Sequence, residues 1–69
     1  MMIVDARGLL CPEPVVKTQR AVKDGASELI VLVDAEAARE NVTRFAVSRG
    51  YDVTLQQEGL NYTLTLKRA

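Results

Sequence analysis

The chain has 69 residues, of which nine are Lys or Arg, nine are Asp or Glu and none is His, giving a formal net charge of zero. This length holds one small domain, near the lower limit at which a single core folds without disulfides or a structural metal. One cysteine and no histidine exclude an internal disulfide, a Cys/His zinc site and a Cys–His catalytic pair, and neutral charge provides no global attraction to nucleic acid or anionic membrane.

Met2 to Asp5 is a short β-prone run ended by Arg7-Gly8 and reads as a first strand. The start, MMIVDARG, lacks the basic and apolar regions of a secretory leader, and no apolar run approaches the roughly 20 residues that span a bilayer. An unpaired thiol suits a reducing compartment, so a cytoplasmic location without membrane contact is expected. Pro12 and Pro14 are tolerated in the first turn of a helix, where N–H groups have no intrahelical partner, and a helix is expected from Pro12 to about Asp24 with Gly25 as its stop. It places Val15, Thr18, Ala21 and Val22 on one side and Lys17, Arg20 and Lys23 on another.

ELIVLVD, residues 28–34, is an apolar run too short for an independent helix. It has the pattern of a strand buried on both faces at the sheet centre. Residues 35–49 return to a 3.6 period, with Ala35, Ala38, Val42, Phe45 and Ala46 on one face, Asp34 as cap, a Glu40–Arg44 pair on the wet side and Gly50 as terminator. After Gly50 the period is two: Tyr51, Val53 and Leu55, then Tyr62, Leu64 and Leu66, joined by an EGLN turn, with both tyrosines half-buried. The expected fold is an α/β two-layer sandwich of order βαβαββ, a four-stranded mixed sheet with two helices packed on one face, residues 1–69 forming one domain. Its open face should carry Thr54, Gln56, Thr63, Thr65 and Lys67 beside apolar residues of the central strand, a surface suited to a second copy or a neighbouring domain.

The chemistry rests on DARGLLCPEPVV, residues 5–16. A helix starting at Pro12 makes Cys11 its N-cap, a position where serine, threonine, aspartate and asparagine are better suited. The positive end of the helix dipole favours a thiolate, while Pro12 and Pro14 remove two N–H donors that would otherwise support it. Arg7 and Lys17 add positive potential and Glu13 opposes it. The prolines also disfavour helical backbone for Cys11 and Glu13, the residues preceding them. A held thiol with no base, second thiol or metal suits a carrier that accepts a sulfur atom as Cys–S–SH and passes it to a partner. The opposing reading is a small hydrophobe packed beneath Leu9 and Leu10. On composition and position the two stand about even. Lys17, Arg20 and Lys23 are as a rule a solvated helix face, and Asp5 and Arg7 a turn-stabilising pair; their functional alternative is thiolate support or partner docking. No phosphate loop is present, because the four glycines stand apart at element boundaries.

The succession of a strand, DARGLLCPEPVVKTQRAVK, an apolar strand, a second helix ending RGY and a hairpin resembles the TusA/SirA/YedF family of small sulfur-carrier proteins. That family is defined by Cys-Pro-x-Pro at the start of the first helix. The resemblance covers essentially the whole chain, and its specificity comes from the motif following D-A-R-G-L within a βαβαββ order. It implies that Cys11, with Pro12 and Pro14 completing the motif around Glu13, holds a persulfide and needs no cofactor. The implied partners are a donor such as a cysteine desulfurase and an acceptor protein, in transfer RNA thiolation, molybdenum-cofactor, dissimilatory sulfur or selenium metabolism. Some members carry a second cysteine where this chain has Phe45 and Ala46, so a role needing two thiols is not implied. EAARENVTRFAVSRGYDV is closer to the YedF-like branch, associated with selenium metabolism and often followed by a DsrE-like domain, so a stand-alone carrier or an N-terminal domain is expected. The contrasting class is a non-catalytic protein- or RNA-binding regulatory module. The fold also resembles the C-terminal domain of bacterial initiation factor three, but fold analogy does not carry function, and neutral charge with few aromatics counts against direct nucleic-acid binding.

Overall fold

Alternation between apolar and polar residues in the strands, and a 3.6 period between them, leave each element with one face that must be buried. The computed structural model describes residues 2–10 and 12–69. The elements run β1 (Met2–Asp5), α1 (Glu13–Lys23), β2 (Glu28–Val33), α2 (Glu36–Ser48), β3 (Tyr51–Glu58) and β4 (Asn61–Arg68), the expected βαβαββ order with a four-stranded mixed sheet and two helices. Strand order in the sheet is β1-β2-β4-β3. β1 and β2 are parallel, while β4 pairs antiparallel with β2 on one side and β3 on the other. The chain's last strand therefore shares the sheet centre with β2.

The core lies between the helices and one sheet face. Leu29, Val31 and Val33 of β2 face Leu64 and Leu66 of β4, and all five are fully buried with Val42 and Ala46 of α2. α1 contributes Pro14, Thr18 and Ala21 to the same layer, the apolar side expected from its period. The hairpin register sets Thr54 opposite Thr65 and Gln56 opposite Thr63 on the other face, as the alternation requires.

Several expectations are corrected. β2 is fully buried on one face only: Ile30 and Leu32 are half-buried on the open face, because both helices lie on the other side and only neighbouring strands shield them. Tyr51 is buried rather than half-buried, since its hydroxyl donates to the carbonyl of Ala26 while Arg68 reaches that hydroxyl at 3.1 Å. On α2, Glu40 does not pair with Arg44. Its carboxylate lies 3.5 Å from Arg39, which also meets Glu36 at 3.5 Å, and Arg39 is held there by stacking over the Tyr62 ring. Asp34 does not cap α2 either: the N-cap is Ala35, with no side-chain cap hydrogen bond. Among the described residues no helix is long and apolar enough to cross a membrane.

Candidate functional site

The parallel pair β1/β2 sets the position of the segment that carries the cysteine motif. Past β1 the ladder continues for one more bond, Ala6 N–H to the Leu32 carbonyl at 2.9 Å, and the chain then turns at Arg7-Gly8. Gly8 has φ +77°, a left-handed backbone that glycine adopts without steric cost. Its N–H donates to Asp34 Oδ2 at 2.8 Å, tying the turn to the residue that ends β2. Leu9 then packs against the core. Leu10 is 84% exposed.

α1 begins at Glu13 with Pro12 as its N-cap, one residue later than expected. Cys11 itself lies outside the described residues, and so does its expected N-cap role; the cap position is taken by Pro12. Glu13 is helical although it precedes Pro14. The clash that proline imposes is tolerated at this first position, and Pro14 is fully buried beneath the helix. The Glu13 N–H donates to the Leu10 carbonyl at 2.9 Å. The helix start thus keeps its dipole but has few backbone donors to offer: Pro12 and Pro14 have none, and that of Glu13 is engaged.

Asp5 and Arg7 form a two-point ion pair at the end of β1. Arg7 Nε and Nη2 donate to the two carboxylate oxygens at 2.9 Å each, and the Arg7 backbone N–H reaches Oδ1 at 3.1 Å. The guanidinium bonds first, and the backbone bond second, hold the Asp5 carboxyl at about 2, below its ordinary 3.8. Lys17 Nζ lies 3.5 Å from the Asp5 carbonyl. Asp5, Lys17 and Arg20 line a groove of about 350 Å³ between β1 and α1.

Pro12 faces a different depression. With Val15 of α1 and Asn41, Arg44, Phe45 and Ser48 of α2 it lines a groove of about 480 Å³ between the two helices. A smaller hollow of about 260 Å³ adjoins it at Phe45, lined by Gln19, Val22, Lys23 and Arg49, where the Arg49 guanidinium stacks 5.0 Å from the Phe45 ring. The described residues lining the two hollows supply three cations and no carboxylate. Sequence-predicted site residues are therefore divided: Asp5, Arg7, Lys17 and Arg20 gather on the β1 side of α1, whereas Pro12 faces α2. Phe45 and Arg44 were legible only as helix-face residues. The Gly8–Asp34 bond has no local signal, since 26 residues separate its partners. Among the described residues no group of acidic side chains has a metal-ligating arrangement.

A two-layer βαβαββ domain with a Cys-Pro-x-Pro sequence between its first strand and first helix defines a class of small mixed-sheet, cysteine-bearing domains. A family model described as Sulfurtransferase TusA matches residues 2–68, and the chain belongs to the TusA family. A putative sulfur carrier protein of Methanocaldococcus jannaschii is 42% identical over 60 residues, 84% of this chain and 80% of that protein. Sulfur carrier protein TusA of Pseudomonas aeruginosa is 38% identical over 58 residues, 81% of this chain and 73% of that protein. The crystal structure of a SirA-like protein from Desulfitobacterium hafniense superposes with a TM-score of 0.85 at 28% identity, covering 96% of this chain and 95% of that one.

Proposed function

We propose that this protein is a cytoplasmic sulfur carrier whose Cys11 receives a sulfur atom from a donor such as a cysteine desulfurase and relays it to an acceptor protein. The observation that carries this reading is the match to a family of sulfur carriers over residues 2–68, with the chain's one cysteine inside its Cys-Pro-x-Pro motif. In the loading step the Cys11 thiolate attacks the terminal sulfur of the donor's Cys–S–SH. A new S–S bond forms on Cys11 as the donor's S–S bond breaks, and the donor's sulfur leaves as a thiolate that takes up the proton. No external oxidant or reductant is consumed, and unloading is the same exchange onto an acceptor thiol. Pro12 and Pro14 would stiffen the backbone that displays the thiol, and Glu13 would sit between them at the helix start. The same exchange serves transfer RNA thiolation, cofactor assembly and, with selenium as the atom carried, the metabolism of the YedF-like branch; the acceptor selects the branch.

The inter-helix groove supports partner contact next to the motif. Its apolar floor at Val15 and Phe45, with Arg44 and the adjoining Lys23 and Arg49, suits a partner segment with an apolar side chain flanked by carboxylates. Lys17 and Arg20, across α1, would extend that contact or support the thiolate. Incubation with a cysteine desulfurase and cysteine, followed by intact-mass measurement, should add the mass of one sulfur to the wild type and none to Cys11→Ser; equal loading of the two proteins overturns the reading.

A further inference from the structure

Asp34 sits where a helix cap would be expected, yet it does not cap. α2 starts from Ala35 without a side-chain cap bond, although a capping oxygen there would stabilise the helix. The Asp34 carboxylate instead accepts the Gly8 N–H at 2.8 Å. The donor belongs to the turn that leads into the cysteine motif, and the acceptor stands directly past the end of β2, the strand paired in parallel with β1. A local rule is broken at the helix and a long-range bond is made at the loop, the pattern expected where function rather than local stability sets a residue.

The bond completes an anchoring series along the connection from β1 to α1. Ala6 is held by the Leu32 carbonyl, Gly8 by Asp34, and Leu9 by the core. Beyond Leu9 the described chain is exposed at Leu10 and next fixed at the helix start, where the Glu13 N–H returns to the Leu10 carbonyl. Asp5 and Arg7 do not replace Asp34: their ion pair is local to the turn, and Arg7 reaches the end of β2 through its Coulombic attraction to Asp34 itself.

The structure assigns to Asp34 the part of a positioning residue: its carboxylate fastens the Gly8 turn to the end of β2 and so sets where the motif at residues 11–14 is presented to a partner. This assignment rests on the carrier reading for its kinetic consequence but not for its geometry. Asp34 is exposed, so its replacement leaves the core intact.

Three measurements test it. In Asp34→Ala, sulfur transfer to an acceptor thiol should fall at least roughly tenfold in kcat with KM for the acceptor little changed, as for a misplaced reacting group. Asp34→Asn, which retains a side-chain carbonyl at the same place, should recover most of the rate. Independently of any sulfur donor, hydrogen exchange of the Gly8 amide should accelerate in Asp34→Ala relative to the wild type while circular dichroism stays unchanged. A Gly8 amide indifferent to Asp34, transfer at the wild-type rate in Asp34→Ala, or an Asn variant as slow as the Ala variant each overturns the assignment. If Cys11 carries no sulfur at all, the comparison of Gly8 amide exchange between the wild type and Asp34→Ala still decides it, and the failure is then one of the carrier reading alone.

Discussion

At Asp5 a single side chain reports how firmly the loop is organised. Its carboxyl is held at about 2 by the Arg7 guanidinium and backbone N–H, against an ordinary value of 3.8. Because the folded value is depressed, the stabilising contribution of the pair is fully present above pH 3.8 and is lost as pH falls through about 2. The pair is exposed, and such pairs contribute little to global stability. In Arg7→Ala, an NMR titration of the Asp5 carboxyl carbon should therefore show a midpoint moved back toward 3.8, with only a small change in melting temperature. The likeness of Asp5 and Arg7 to a turn-stabilising pair was legible from their spacing alone. Asp34 was not, because a cap and a loop anchor demand the same residue type one position apart, and only the parallel pairing of β1 with β2 distinguishes them.

At the scale of elements, α1 and α2 meet to form the groove beside Pro12, and that groove owes its character to Phe45 and Arg44. Half-buried Phe45 supplies the apolar wall and exposed Arg44 the charge. A partner segment with an apolar anchor and flanking carboxylates loses both contacts separately: Phe45→Ala should weaken binding of the sulfur donor or acceptor mainly through a faster off-rate, and Arg44→Glu mainly through a slower on-rate with altered salt dependence. Each change is expected to raise Kd roughly tenfold, the size of a moderate interface contact, and binding kinetics at two salt concentrations would show whether the two effects divide in this way. The helices and their faces were readable from the 3.6 period, with Ala38, Val42 and Ala46 inward as expected. The groove was not, because it depends on how close two helices approach, a quantity that neither period contains. The boundary shift from Pro12 to Glu13 has a similar origin. Propensity allows either start, and the burial of Pro14 decides it.

For the whole molecule, size sets the margin. A chain of 69 residues at roughly 0.05–0.15 kcal/mol per residue has a total stability of roughly 3–10 kcal/mol. Leu64 is fully buried on the central β4, and truncating such a leucine costs about 2–5 kcal/mol. Leu64→Ala should therefore remove a large share of the folding free energy, from roughly a fifth to all of it across these ranges, seen in urea unfolding as a lower midpoint with an unchanged slope. The βαβαββ order, the mixed sheet and the single covered face were all legible, since alternation and period specify which elements form and which sides they bury. Strand order was not: nothing local to residues 61–68 distinguishes a central strand from an edge one, and the two-sided pairing of β4 is a property of the assembled sheet.

That pairing has a consequence in time. As the chain leaves the ribosome, β1, β2 and β3 are available before β4, yet β2 and β3 have no direct bond to each other and are joined only through residues 61–68. The parallel β1/β2 pair that anchors the Gly8 turn can therefore form first, and the hairpin partner β3 joins the sheet only once residues 61–68 have been added.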